Sequence, residues 1–407
     1  MDIAGDDAQR FLVNSNEALE FRLIRCPEDL EDEDTPFGAE MSHQVFGENE
    51  TIFGYQGLSV KLYYTAGRLT AYLNVDYKEK ADPDHFEGVE ADDIPKILAE
   101  KLQHGFLTNL DTFVASLSKE AEFVPHGELI NSFRCGRDGE ELSTYEVYFC
   151  DTSNSKFLKY HERLQTFILW YIDGSSYIDT DDANWRFFVC FEKYKMDGKT
   201  MFAIAGYATV YQYYAYPKNI RPRISQVLVL PPFQNQGIGA NLLRTIYNHY
   251  VGMDEVLDIT VEDPSQEFQY LRDYVDCQNM LKLSSYQPNM LKKGFCEEMV
   301  RDARSKFKIN KRQARRVYEI LRLKVTNRKD EEEYKQYRLS VKRRLNTPFQ
   351  KEQKMVIKLK NVLAEDELKA TEQLKSREQR LENLDRQYKE LEDEYQHVIE
   401  RLAASLS

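Results

Sequence analysis

The chain reads as an α+β protein, a sheet-centred half followed by a helical half, on three observations. The first is the stretch from Arg221 to Ser265. Ile224-Ser225-Gln226-Val227-Leu228-Val229-Leu230 is rich in β-branched and apolar residues, which predicts a strand covered on both faces. Pro231-Pro232 stops it, and Gln234-Asn235-Gln236-Gly237-Ile238-Gly239-Ala240 follows as a glycine turn. Leu242, Leu243, Ile246, Tyr247 and Tyr250 then recur at helical spacing, and Val256 to Val261 returns as a strand ending at Glu262-Asp263-Pro264. The second is the meander before it: Phe187-Val189-Phe191 and Phe202 to Tyr213 flank a turn at Asp197-Gly198, a strong hairpin signal. The third is that turn and strand signals fade beyond Pro264, where the chain becomes helical.

The remaining elements follow in order. Met1 to about Val13 is expected to be loose, and Asn14 to Arg25 is compatible with a short helix or a strand. Glu28 to Asp34 is an acidic, solvated loop. Leu58–Tyr64 and Leu69–Val75 alternate around Thr65-Ala66-Gly67-Arg68, a hairpin. Pro83 and Pro95 bracket a second acidic loop, and Ile97 to Leu117 mixes helix and turn. Tyr145-Val147-Phe149 alternates as a strand, and Phe157, Tyr160, Leu164, Phe167, Ile168 and Tyr171 predict one amphipathic helix over 155–172. Helices are expected at 268–275, twice or more within 291–325, and at 331–345 before Pro348. Lys306, Lys308, Lys311, Arg312, Arg315 and Arg316 read first as a solvated helix face, ahead of an import signal or phosphate contact. From Lys351 onward Leu374, Leu381, Leu384, Tyr388, Leu391, Tyr395, Val398 and Leu402 form a coiled-coil-like stripe of about four heptads. Such a stripe packs on a partner helix or on its own body. Four segments result: 1–125 a mixed N-terminal domain, 126–265 the core, 266–348 a helical domain and 349–407 a long charged helix.

Bulk properties narrow the function classes. A chain of 407 residues with net charge −13 disfavours bare nucleic acid and favours cationic partners. Six cysteines, at 26, 135, 150, 190, 277 and 296, show no CxxC spacing and no clustered histidines, so disulfides and metal are not expected. The N-terminus lacks a secretory pattern and no apolar run approaches membrane-spanning length, so a soluble intracellular protein is expected.

A glycine turn opening a helix presents unpaired N–H groups at the positive end of the helix dipole, where phosphate binds. The Gly-Lys-Ser/Thr of a P-loop and the GxGxxG of a dinucleotide fold are both missing. The Gln-x-x-Gly-x-Gly that remains resembles the pyrophosphate loop of the GNAT superfamily of N-acetyltransferases. Together with Arg221-Pro-Arg-Ile-Ser-Gln and Leu257-Asp-Ile-Thr-Val-Glu-Asp-Pro-Ser it resembles the catalytic subunits of type B histone acetyltransferases, over most of the chain from His43 to about Leu345. The resemblance implies a GNAT fold with a mixed N-terminal α/β domain and a helical C-terminal domain. It implies acetyl-coenzyme A as cosubstrate, with its pantetheine arm beside Val227, Leu228 and Val229 and its diphosphate on Gln234, Asn235, Gln236, Gly237, Ile238, Gly239 and Ala240. Ser265 is a further candidate for cofactor contact.

Acetylating lysine requires removing a proton from an amine whose reference pKa is about 10.4. A carboxylate of raised pKa near the thioester serves as general base. The family's base maps onto Glu262, its supporting carboxylate onto Asp263, and two neighbouring carboxylates raise at least one pKa when partly buried. A third acidic position, commonly glutamate in the family, is Asp173 here, one methylene shorter; a role as a helix-end cap before Gly174-Ser175 fits equally. Asp263 and Ser265 also fit a plain turn and helix cap. By resemblance Glu48, Asn49, Glu50, Trp185, Tyr211, Gln212 and Tyr213 line an acidic, aromatic-edged groove for a basic tail, compatible with 26 tyrosines and the acidic balance. The implied reaction is direct attack by lysines of newly made histone H4, with histone 2A a further substrate. No cysteine stands in the two key segments as an acyl carrier, although Cys277 lies close in sequence. The implied partners are histone H4 with H3 and a WD-repeat histone chaperone, without direct nucleic acid or membrane, in nucleus and cytoplasm. Two other readings stay open: an acetyltransferase for another amine, and a non-catalytic histone-binding scaffold.

Overall fold

The computed structural model describes residues 9–137, 139, 141–359 and 377–405, and the chain divides into two compact units, Met1–Glu255 and Val256–Ser407.

The first unit holds two main sheets. In the smaller, β1 (Leu19–Ile24) runs parallel to β2 (Ser59–Thr65), which pairs antiparallel with β3 (Ala71–Asp76). The undecided segment from Asn14 contains both alternatives, since the turn of helix Ser15–Ala18 is capped by Asn14 and leads straight into β1. Leu12 and Val13, expected loose, pair with Phe53 and Ile52. The larger sheet is an antiparallel run of β4 (Glu128–Cys135), β5 (Ser143–Asp151), β6 (Trp185–Met196), β7 (Lys199–Ala215) and β8 (Asn219–Val229), each paired with the next. The turn at Asp197-Gly198 has both residues at positive φ, as a tight hairpin requires.

Alternation along β6 explains how this sheet is covered. Phe187 points to helix α1 (Ser155–Leu164), with ring centroids 4.9 Å from Phe157 and 4.6 Å from His161. Its neighbour Phe188 points the other way, to His249 and Tyr250 of helix α2 (Ile238–Val251). The sheet is thus packed on both faces by helices whose apolar stripes the sequence shows. The single helix expected over 155–172 is instead interrupted: Gln165–Phe167 tighten to a 3-10 turn before a final helical turn, Ile168–Tyr171. Strand β8 also differs from expectation. Only alternate residues, Ile224, Gln226 and Leu228, are buried, whereas Ser225, Val227 and Val229 are half-buried.

The second unit is helical: α3 (Gln266–Met280), α4 (Glu297–Phe307), α5 (Lys311–Lys324), α6 (Glu331–Leu345) and α7 (Arg377–Ala404). The strand expected over 256–261 shrinks to Thr260–Val261, although Ile259 bridges to Ile309. Helix α5 is central, with Ala314, Val317, Ile320 and Leu321 inaccessible. The stripe of α7 packs on α3, α5 and α6 of the same unit, burying Tyr388, Tyr395, Val398 and Leu402. Leu381 is exposed, and Leu374 lies outside the described residues. Pro348 falls in the first turn of a further helix, Thr347–Leu359.

The basic stretch is not simply a solvated face. Arg315 and Arg344 both hold the inaccessible Glu319, at 2.9 and 2.7 Å, and Tyr395 donates to the same carboxylate at 2.9 Å. Arg316 bridges buried Asp273 at 2.6 Å and Glu394 at 2.7 Å. Arg316 therefore fastens α3 and α7 to α5, because a guanidinium can satisfy two carboxylates at once, while Arg344 ties α6 to α5 through Glu319.

Candidate active site

In the first unit β8 leads through a short 3-10 turn, Pro231–Phe233, into the glycine turn. Gln234 Nε2 donates to the Val229 carbonyl at 2.9 Å and Gln236 Nε2 to the Pro232 carbonyl at 3.0 Å. Tyr145 on β5 donates its hydroxyl to Gln236 Oε1 at 3.1 Å, so the two glutamines fix the turn from within. Asn235 and Gly237 have φ of 62° and 87°. Gly237 occupies the N-cap position of α2 in the left-handed region, without a side-chain cap. Most helix starts nearby are capped by Asn or Asp, as Asn154 caps α1. A capping side chain would occupy the first-turn N–H groups; glycine leaves them to an external anion. The residues present therefore fit a diphosphate.

Strand β8 is held unusually close to β7. A Cβ on Gly206 would press into the Leu228 carbonyl. The pairing skips Ser225, which forms a bulge opposite Thr209 and Val210. At the bulge Gln226 N donates to Thr209 Oγ1 at 3.1 Å, and Gln226 Nε2 reaches the Ser176 carbonyl at 3.0 Å. Gln44 Nε2 takes the Ser175 carbonyl at 2.7 Å, and Gln165 Oε1 accepts from Ile178 N at 3.3 Å. Three glutamines thus hold the segment that carries Asp173.

Asp173 is exposed at its carboxylate, and His43 Nε2 lies 3.2 Å from its Oδ1. Glu50 Oε1 lies 3.8 Å from the other ring nitrogen of His43. Glu50 also accepts the backbone N–H groups of Ser42 at 2.7 Å and His43 at 3.2 Å, and Asn16 Nδ2 at 2.8 Å. Donation from the Ser42 amide, joined by Asn16 and His43, holds its carboxyl below the usual glutamate range. Glu50 is accordingly a tie for the 43–46 turn as well as an acidic side chain, whereas Glu48 and Asn49 are exposed on the turn before it. His43 is the residue that sequence reasoning missed, because Asp173, one of its two carboxylates, stands far along the chain from it.

The aromatic candidates stand together. Trp185 meets Tyr211 edge-on at 5.0 Å, Tyr211 lies 4.5 Å from Tyr213, and the Arg223 guanidinium stacks over Tyr213 at 4.6 Å. Tyr211 donates its hydroxyl to Asp182 at 2.8 Å, which pushes the phenol up and keeps it protonated. Gln212 differs from its neighbours: its side chain turns to Tyr250 of α2, at 3.4 Å.

The second unit supplies Glu262, Asp263 and Ser265. Glu262 and Asp263 are exposed, so the partial burial expected of the pair is not provided by the chain itself. Asp263 has φ of 25°, a constrained conformation for a residue with a side chain. Ser265 caps α3 by accepting from Phe268 N at 3.2 Å, which engages the hydroxyl in structure. Cys277 is inaccessible within α3, and burial pushes its thiol well above the ordinary range, which argues against an acyl-carrier role. Among the described residues no group of three or more His, Cys, Asp or Glu could hold a metal ion, and no helix is long and apolar enough to cross a membrane.

Three family models match this chain: "Histone acetyl transferase HAT1 N-terminus" over residues 11–173, "Acetyltransferase (GNAT) family" over 144–268, and "Histone acetyltransferase type B catalytic subunit, C-terminal" over 272–323. The chain is 46% identical over 396 residues to the histone acetyltransferase type B catalytic subunit of Homo sapiens, covering 97% of this chain and 94% of that one. The Mus musculus protein of the same name gives the same identity and coverage. A Dictyostelium discoideum relative of that description is 33% identical over 346 residues, 83% of this chain and 73% of its own.

Proposed function

The chain belongs to the family of type B histone acetyltransferase catalytic subunits, an acyltransferase with a GNAT acetyltransferase domain, and from that premise we propose that it acetylates lysines of newly made histone H4 tails, with Glu262 as general base. The observation that carries the cofactor half of this reading is the uncapped turn at Gly237, at φ of 87°, opening α2 directly after β8.

Acetyl-coenzyme A, when bound, supplies an activated acetyl thioester. The chain's own residues do the rest. Gln234 to Ala240 offer backbone N–H groups and a helix dipole to the diphosphate. Val227, Leu228 and Val229 provide a strand segment for the pantetheine arm, and a backbone N–H on its open edge polarises the acetyl carbonyl as a preorganised donor does. Glu262 takes the proton from the incoming lysine ammonium, since near pH 7 under about a thousandth of free lysine is neutral. Asp263 supports that carboxylate electrostatically. Both carboxylates stand exposed.

Asp173, Glu48, Asn49 and Glu50 make the acidic side of the tail groove, and Trp185, Tyr211 and Tyr213 its aromatic edge, with Gln212 tying that edge to α2. A WD-repeat chaperone delivering H3–H4, and a nuclear and cytoplasmic location, complete the reading. Mass-spectrometric mapping of acetylated lysines after incubating the purified chain with acetyl-coenzyme A and H3–H4 tests it. Modification concentrated on the H4 tail, absent from a tail peptide with lysines replaced by arginine, is the expected result. Modification spread over both histones, or of the arginine peptide's N-terminus, contradicts it.

A further inference from the structure

A second cleft lies in the first unit, between the turn joining β2 to β3, the 122–127 segment and helix α1, with a volume of about 520 Å³. Four cations line it: Arg68, Lys156, Lys159 and Arg163. Two of them are fixed by carbonyls, Arg163 Nη1 on Arg68 O at 3.0 Å and Arg68 Nη1 on Lys119 O at 3.4 Å. None of the four forms an ion pair with another described residue, and Glu122 is the one acidic side chain of the lining. In a chain of net charge −13 this is a local reversal of sign. It is felt at short range, because screening confines exposed charges to about 8 Å.

The cleft is built rather than incidental. Inaccessible Glu120 accepts the backbone N–H groups of Gly67 at 2.7 Å and Arg68 at 3.2 Å, which fixes the wall that carries Arg68. Phe123 stacks on Tyr160 at 5.6 Å, and His126 closes on Tyr160 at 5.8 Å, giving an aromatic floor. The Tyr160 hydroxyl is buried with no hydrogen-bond partner among the described residues. Burial, joined by the positive charge of Lys156 and Arg68, pushes His126 below its ordinary range, as expected where cations converge.

Lys156, Lys159 and Arg163 fall at i, i+3 and i+7 on α1, a row roughly 10 Å long at 1.5 Å per residue. Charges in a row suit anions carried at intervals along an extended chain, where same-face side chains recur about every 7 Å. The apolar floor suits one large hydrophobic residue among them. We propose that this cleft docks an acidic peptide segment of a protein partner, its carboxylates on the α1 cations and Arg68 and an apolar side chain on Phe123 and Tyr160.

Fluorescence anisotropy of the full-length protein with a labelled peptide of glutamates around one phenylalanine tests this. Saturable binding is expected, weakened about tenfold or more by the double variant K156E/K159E and by raising salt to ~0.5 M. Both lysines are exposed, and a glutamate at 156 suits the first turn of α1, so the variant keeps the fold and its histone acetyltransferase activity. Absence of saturable binding, or binding unchanged in K156E/K159E, overturns the proposal. So does preferential binding of a single-stranded oligonucleotide or of pyrophosphate over the peptide.

Discussion

The two units weight the same burial problem differently. In the first, the sheet faces are filled by rings such as Phe157, Phe187 and Tyr207, and its buried histidines are kept neutral. Burial pushes His161 down to about 3, and burial with Arg163 nearby pushes His104 down to about 4. In the second, charge is carried into the interior and paired there, Glu319 with Arg315 and Arg344, Asp273 with Arg316 and Gln313. The difference follows from geometry. Side chains stand upright on a sheet and meet the layer above directly, so apolar contact decides what fits. Long side chains on a helix lie along its surface and can fold a charged head inward to a partner on a neighbouring helix.

The comparison can be broken most forcefully at one residue in each unit. E319A leaves two guanidiniums without their buried partner and should destabilise the second unit by about 3–5 kcal/mol, while F187A should cost the first unit about 3–5 kcal/mol by opening a cavity. Denaturant titration followed by hydrogen exchange assigns each loss to its unit. An E319A effect near zero would remove the ion-pair account of the helical unit.

Acid should separate the units next. His161 and His104 titrate lower folded than unfolded, so below about pH 6.5 the unfolded chain takes protons that the folded one refuses. Stability is full above that pH and falls as pH drops toward the depressed native values, by up to about 1.4 kcal/mol per pH unit for each histidine. H161F should flatten this slope by one proton in a pH series of melts. An unchanged slope would place the proton uptake elsewhere.

A smaller test addresses the start of α3. S265A should cost about 1 kcal/mol of stability, as loss of a helix cap does, with coenzyme A affinity untouched in calorimetry. A drop in affinity would instead make Ser265 a cofactor contact.

The same contrast explains what could be read from the chain. Asp197-Gly198 fixed a hairpin because both positions need positive φ, and the apolar stripe after Gly239 marked α2 because one face of it is buried. Strand β4 escaped notice: Glu128 to Cys135 mixes apolar and polar residues without a strict alternation through its first half, and none of its residues is fully buried. The break at Gln165–Phe167 was hidden because those residues are buried all round, which blurs the helical period. Arg316 looked solvated because its pairing partners, Asp273 and Glu394, lie far along the chain. The candidate site divides the same way. Its glycine turn is local and legible, whereas the link from Gln226 through the 173–176 segment to His43 and Glu50 joins residues that only folding brings together.

The claim on which the chemistry rests is that the carboxylate at 262 removes the lysine proton. E262Q keeps the shape and the exposed position, so the account predicts turnover on an H4 tail peptide at pH 7 reduced by about 10²- to 10⁴-fold, with coenzyme A affinity changed by less than about twofold. Turnover within a few-fold of the parent chain would contradict it.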